Sequence, residues 1–206
     1  MAASDIDLTT VAAVAAYIGG VDGSDPTTND LLQTLVTSAS AYASDFCCRD
    51  FRLQEYTQLY NGTGYPRLIL RNAPVVEVTL VASDTVVIPA RNGTTPGFVC
   101  DDSGALYATG CYTFFPGFQN VQVTYTAGWI TPGMAQTTSP PGVVNLPQDL
   151  QQAVIETVAL KYQSQRNNIG ISARQIAGET IAYTQSDVPK SASPVFSFYQ
   201  RVGVWA

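Results

Sequence analysis

The stretch that decides the fold is Leu146–Arg166, LPQDLQQAVIETVALKYQSQR. Pro147 suits a first helical position, where a missing N–H costs nothing, and Asp149 puts an acid near the positive end of the helix dipole. On a helical wheel Leu150, Ala153, Val154, Thr157 and Val158 form one apolar stripe. Ile155, Ala159 and Tyr162 lie roughly opposite. A helix that is apolar on two sides either sits centrally in its own fold or gives one side to a neighbouring subunit. The second option makes Ile155, Ala159 and Tyr162 candidate inter-subunit residues.

A helix with two apolar sides needs other helices to pack on. Residues 1–7 look loose. Thr9 or Thr10 can cap a short helix, VAAVAAYI, that stops at Gly19-Gly20. The loop VDGSDPTTN holds Asp22 and Asp25, with Asp30 nearby, but lacks the spacing and terminal Glu of an EF-hand, so a turn and a helix cap are expected. A long helix follows from Thr27 to Cys48, with Leu32, Leu35, Val36, Ala39, Ala43 and Phe46 on its buried face. Beyond residue 166, Asn167-Asn168 and Gly170 release the chain, and 171–184 alternate around Gly178 like a hairpin. Ser193 as cap and Pro194 at the first position open a last short helix rich in aromatics.

Between the long helices the period changes from 3.6 to 2. Tyr56, Gln58 and Tyr60 alternate with Thr57 and Leu59; RLIL, VVEVTLVA, TVVIPA, FVC, ALY and the run around Val121, Val123 and Tyr125 follow, separated by Asn, Gly, Asp and Pro turns. Sequential antiparallel hairpins predict a small twisted sheet or open barrel. The fold class is therefore α+β: a small helical bundle, with helices near 9–18, 27–48, 146–166 and 193–202, and an inserted β-hairpin region over 52–130. Two loops stand out. Phe114, Phe115 and Phe118 crowd one turn, and the Pro- and Gly-rich 131–145 can be neither helix nor central strand.

Composition narrows the function. The chain has 206 residues, 46% hydrophobic and only 13% charged, with net charge −6 and no histidine. No basic stripe exists to release counterions from DNA phosphates. Without histidine the commonest general base and the His-containing zinc sites are absent. Carboxylate pairs such as Asp101 with Asp102, or Glu55 with Glu77, come without a nucleophile elbow, phosphate loop or metal spacing, so they read as solvated acids. No catalysis, metal or cofactor is expected. Cys47 and Cys48 are adjacent and diverge on a helix; Cys100 and Cys111 could meet across strands, but a cytoplasmic chain keeps them reduced. No apolar run reaches the ~18 residues of a membrane span, and no signal peptide is visible.

The order of elements resembles one family. Leu8-Thr9-Thr10 opens a short helix ending Tyr17-Ile18-Gly19; Asp30-Leu31-Leu32, Ala39-Ser40, Phe46, Arg49 and Phe51 follow. Then come Gly62 and Gly64 with Leu68 and Leu70, Pro74-Val75 with Val78, the GALY hairpin, and Val123-Thr124-Tyr125-Thr126-Ala127-Gly128. The end carries Pro147, Asp149-Leu150 and Ala153, a hairpin, and an aromatic C-terminus with Tyr199 and Arg201. In this order and spacing the chain resembles the head-to-tail adaptor, or connector, proteins of long-tailed double-stranded DNA bacteriophages. It departs from them in a longer 131–145 loop and in Trp205.

The resemblance implies a single adaptor domain over 1–206, assembled in the host cytoplasm and then resident in the virion neck. It implies a homo-oligomeric ring, typically twelvefold, between the portal protein and a tail-side stopper or tail terminator protein. Twelve copies at −6 would carry about −72, so DNA would pass through the channel without sticking. The segment 185–206 would dock on the portal through Phe196, Phe198, Tyr199, Arg201 and Trp205, because aromatics and Arg anchor interfaces. Phe114, Phe115 and Phe118 would form a tail-side contact loop. Two other classes fit less well. A head-closure stopper is usually shorter and dominated by a β-barrel, and a receptor- or carbohydrate-binding module is usually all-β.

Overall fold

The computed structural model describes residues 3–19, 25–134, 145–167, 173–176, 179–182 and 188–201. In chain order the elements are α1 (Val11–Ile18), α2 (Pro26–Cys47), β1 (Gln54–Gly62), β2 (Arg67–Ile69), β3 (Val75–Ser83), β4 (Val86–Val87), β5 (Phe98–Cys100), β6 (Ala105–Ala108), β7 (Gly117–Ala127), α3 (Gln148–Asn167), β8 (Ala173–Ile176), β9 (Glu179–Ala182) and α4 (Ala192–Tyr199). They form an α+β fold. The chain divides into two compact units. One comprises Met1–Phe51, Thr131–Thr137 and Asn145–Ala206; the other comprises Arg52–Ile130 and Thr138–Val144.

The first unit is helical, and its helix ends follow from local chemistry. Thr10 caps α1 by accepting from Ala13 N at 3.2 Å, and Gly19 ends it at φ 70°, its N–H returning to Ala15. Asp25 caps α2, accepting from the Thr28 hydroxyl at 2.5 Å and from the N–H groups of Thr27 and Thr28. These bonds, the Thr28 hydroxyl first, hold its carboxyl below the usual value. Pro26 occupies the first turn, one residue before the expected start. At the other end Cys48 takes a left-handed turn, and the N–H groups of Cys48 and Arg49 return to the Asp45 and Ser44 carbonyls.

α3 packs on α1, α2 and α4. Leu150, Ala153, Val154, Thr157 and Val158 are buried, and the Thr157 hydroxyl is satisfied by donating to the Ala153 carbonyl at 2.8 Å. The opposite side is buried too. Ile155, Ala159 and Tyr162 are only 7%, 4% and 5% exposed within the chain's own fold. This corrects the expectation of a free inter-subunit face: a helix enclosed by three others is apolar on two sides because both sides are core. The last helix begins at Ala192, not at Ser193-Pro194. Ser191 precedes it without capping it and instead donates its hydroxyl to the Glu156 carboxylate on α3.

The N-terminal segment is not loose from residue 4 onward. Ser4 N and Gln33 Nε2 both donate to Asp7 Oδ2, at 2.8 and 2.6 Å, and Leu8 N donates to Ser40 Oγ at 2.9 Å. Thr131 Oγ1 reaches the Asp5 carbonyl at 2.8 Å. β8 and β9 pair antiparallel, as the expected hairpin requires, with Ala173 opposite Ala182 and Ile176 opposite Glu179.

The second unit holds two sheets, ordered β1-β7-β3-β4 and β2-β6-β5. The sequence predicted hairpins in succession, and only β3–β4 and β5–β6 are hairpins between neighbours in sequence. The last strand, β7, lies between β1 and β3 and pairs antiparallel with both. Neither sheet closes into a barrel. β7 is central because Val121, Val123, Tyr125 and Ala127 are all fully buried, while β1 buries only its alternate residues weakly. Below the sheet, Gln58 Oε1 accepts from the phenols of Tyr60 and Tyr125 at 2.7 and 3.0 Å, and those phenols accept from Arg71 N and Asn72 N. Burial, followed by the bond to Tyr125, pushes the Tyr60 phenol far up. This network ties the segment after β2 to the larger sheet.

Candidate docking surfaces

The sequence singled out two aromatic runs, one in each unit. In the β-rich unit the loop before β7 is held by polar side chains, not by its rings. Asn120 Oδ1 accepts from Gly62 N at 2.9 Å, and Asn120 Nδ2 donates to the Phe115 carbonyl at 2.8 Å. Phe115 N donates to the buried Ser83 hydroxyl at 2.9 Å, Gln119 N to Asn61 Oδ1 at 2.9 Å, and Gly64 N to the Phe114 carbonyl at 2.8 Å. A Cβ at Gly62 would lie 1.8 Å from the Phe115 carbonyl oxygen, so glycine is required there.

The frame sorts the three rings. Phe114 is fully buried in the unit's core, which removes it from the expected contact loop. Phe115 is exposed and Phe118 is 79% exposed. Tyr65, at 71%, joins the same end through its carbonyl, which accepts from Phe114 N. Sequence reading missed Tyr65 and Asn120: Tyr65 joins this end by pairing with Phe114 and Asn120 by accepting from Gly62 N, each some fifty residues away, and the Gly62/Gly64 turn was the main local sign.

In the helical unit, α4 divides its aromatics by period. Phe196 is fully buried, its ring 6.1 Å from that of Phe46, and its carbonyl accepts from the Cys47 thiol at 3.4 Å. It is therefore core and not a docking anchor. Phe198, two residues on, points away and is 80% exposed. Tyr199 is half-buried, edge-on to Phe51 and Phe198, and its phenol donates to both oxygens of Asp149 at 2.9 and 3.1 Å. Burial, then the bond to Asp149 and its charge, pushes that phenol up to about 12. Arg201 is exposed, and its N–H donates to the Cys47 carbonyl at 2.8 Å. Trp205 lies outside the described residues, as do 135–144 of the long loop and Asp22.

Cys47, Cys48, Cys100 and Cys111 are all free thiols. Burial raises Cys47 and Cys100 to about 11, so neither is a nucleophile at neutral pH. Among the described residues no group of three His, Cys, Asp or Glu side chains could hold a metal ion, and no helix is long and apolar enough to cross a membrane. The arrangement leaves Phe115, Phe118 and Phe198 exposed on hydrogen-bonded frames.

The sequence profile of a family described as head completion protein matches residues 7–202. Among solved structures, the fold is similar to a chain in the neck of an empty gene transfer agent particle computed with C6 symmetry, at TM-score 0.55 and 19% identity. A chain of the virion of the native gene transfer agent particle matches at 0.53 and 17%, and one of its neck computed with C12 symmetry at 0.51 and 17%. Each alignment covers 99% of this chain and 94% of the other. At such identities the likeness is one of fold. No curated protein matches the chain.

Proposed function

Because the chain belongs to the head completion protein family, whose members are structural proteins of the head–tail junction in phage-like virions, we propose that it is the adaptor subunit of the neck. In this role copies form a ring, twelvefold as the family resemblance implies, between the portal and a tail-side stopper or terminator protein. The ring lines the DNA channel and catalyses nothing. Phe198 and Arg201, with Trp205, dock on the portal; Phe115 and Phe118 face the tail-side protein. The observation that carries the proposal is Phe198, 80% exposed on a helix fastened to α3 at both ends. A free aromatic ring on a fixed helix loses little entropy on docking and is the type of residue that anchors interfaces. A bundle with open sheets and no barrel favours adaptor over stopper.

The test is a Phe198→Ser, Arg201→Ser double variant in the particle that encodes the chain. Filled heads should accumulate without adaptor and leak DNA, while the purified variant keeps its far-UV circular dichroism. Normal occupancy of the portal by the variant would sink the docking role. The mass of the isolated neck gives the copy number. Wild-type protein should leave a DNA duplex unshifted at physiological salt, in keeping with a net charge of −6.

A further inference from the structure

Residues 4–9 are a strap laid on α2. They belong to no helix or strand, yet Asp7, Leu8 and Thr9 are each at most 1% exposed. The side of α2 that receives them is polar. Gln33, Thr37 and Ser40 follow one another at helical spacing and share one side of the helix. Gln33 Nε2 donates to Asp7 Oδ2 and to Thr37 Oγ1, and Ser40 Oγ accepts from Leu8 N. The strap in turn holds residues 131–133. Thr131 Oγ1 donates to the Asp5 carbonyl, and Gly133 N donates to the Asp7 carbonyl at 3.2 Å. A Cβ at Gly133 would stand 2.1 Å from the Ser4 carbonyl oxygen, so the approach requires glycine.

This fastening is made of hydrogen bonds, and it is incomplete. Asp7 Oδ1 and Thr9 Oγ1 are buried and have no hydrogen-bond partner among the described residues, and both belong to the strap. A buried polar atom left unpaired has given up its hydration and received nothing in return. Lifting the strap returns both oxygens to water. Water also satisfies Gln33, Thr37 and Ser40, so the bared side of α2 loses little. What chiefly opposes lifting is the burial of one large apolar side chain, Leu8. α3 is held differently: Leu150, Val154 and Val158 are fully buried, and the Thr157 hydroxyl has its partner. Segments with few buried apolar contacts and imperfect polar ones are those that open locally, ahead of the fold as a whole.

We propose that residues 4–9 are a displaceable strap, which lifts from α2 and releases residues 131–133 with it as one unit while the helices stay packed. This is a property of the isolated subunit and does not rest on the neck assignment. It gives the chain a part that can rearrange when the subunit meets a partner, without loosening α3 from α1, α2 and α4.

Native-state hydrogen exchange of the full chain, resolved amide by amide by NMR, tests the proposal. Leu8 N and Gly133 N should show equal protection, about a hundredfold or more below that of Val154 and Val158 in α3. Thr9→Val replaces the unpaired hydroxyl with a methyl of the same shape and should slow exchange at both amides about tenfold. Gln33→Leu strips Asp7 Oδ2 of a donor and should quicken both about tenfold, although Gly133 makes its hydrogen bond to the strap and not to α2. Far-UV circular dichroism matching the wild type verifies that both variants are folded. Leu8 and Gly133 exchanging as slowly as α3 would overturn the proposal, because the strap would then open only with the whole fold. Unequal responses of the two amides to either variant would overturn it as well, by separating 131–133 from the strap. So would exchange that Thr9→Val quickens or leaves unchanged, since the Thr9 hydroxyl would then be paired in the folded state.

Discussion

Phe114, Phe115 and Phe118 belong to a loop in the β-rich unit, and Phe196, Phe198 and Tyr199 to the last helix of the helical unit. Each run buries one ring completely, Phe114 or Phe196, and leaves one almost free, Phe118 or Phe198. The means differ. On α4 the helical period does the sorting, since residues three apart share a face and those two apart oppose each other. In the loop nothing periodic operates. Asn120 just beyond the loop, with Ser83 and Asn61 from distant stretches of the sequence, holds the backbone so that one ring turns in and two turn out. A helix makes its inner and outer faces from its own backbone, whereas a loop borrows them from polar side chains elsewhere.

The largest effects should come from the inward rings. Phe196→Ala and Phe114→Ala should each cost about 3–5 kcal/mol in urea unfolding, because each leaves a cavity in a closed core. The outward partners, Phe198→Ala and Phe118→Ala, should change stability by no more than about 0.5 kcal/mol. Similar losses for an inner and an outer ring of the same run would dissolve the division. The borrowed frame comes next. Asn120→Ala removes the acceptor for Gly62 N and the donor to the Phe115 carbonyl, and should cost about 1–3 kcal/mol. Hydrogen exchange should quicken at Gly62 while α4 amides remain unaffected.

The same contrast explains what could be read from sequence. α3 was legible in full from Pro147, Asp149 and its stripes, as were the Thr10 cap and the left-handed stop at Gly19, since each signal lies within one turn of its effect. Two apolar stripes on α3 said that both sides were covered but not by what, so Ile155, Ala159 and Tyr162 were open to a neighbour until α1, α2 and α4 were seen around them. The start of α4 was misplaced because Ser191 spends its hydroxyl on Glu156, 35 positions away. Strand order failed for a similar reason: Gln54–Ala127 pairing closes a long loop that no hairpin turn announces. Phe114 looked like a surface residue because Ser83, which holds the backbone of the next residue, is 32 positions from it in sequence.

Alkaline pH probes the buried thiol that fastens α4. Cys47 donates to the Phe196 carbonyl and has its pKa raised from 9.0 to about 11 by burial. The folded state therefore keeps a proton that the unfolded state gives up. That contribution is complete below pH 9 and is lost as the pH rises through about 11. Urea midpoints measured from pH 8 to 11 should fall less steeply for Cys47→Ala than for wild type. Cys100 in the other unit, also raised to about 11, falls over the same window, so the Cys47→Ala, Cys100→Ala pair should be flatter than either single variant. Identical slopes for wild type and the Cys47 variant would show that this thiol ionises as freely folded as unfolded.

The smallest effect should come from Tyr199→Phe. The change deletes only the phenol that donates to Asp149, and it keeps the ring edge-on to Phe51. The bond lies in solvent, where water replaces both partners, and Asp149 retains Leu150 N as a donor at 2.9 Å. A loss of about 0.5–1 kcal/mol is expected. For a chain of this length that is a fall of roughly 1–4 °C in Tm. Tyr199→Leu, which also loses the ring, should cost more. Together these variants separate the two supports of α4, a ring packed on Phe51 and a hydroxyl bound to α3. If packing fastens the helix, the Leu variant is the weaker of the two. If Tyr199→Phe alone loses as much as Asn120→Ala, α4 is held in place by a polar side chain just as the loop is, and the contrast between the two runs disappears.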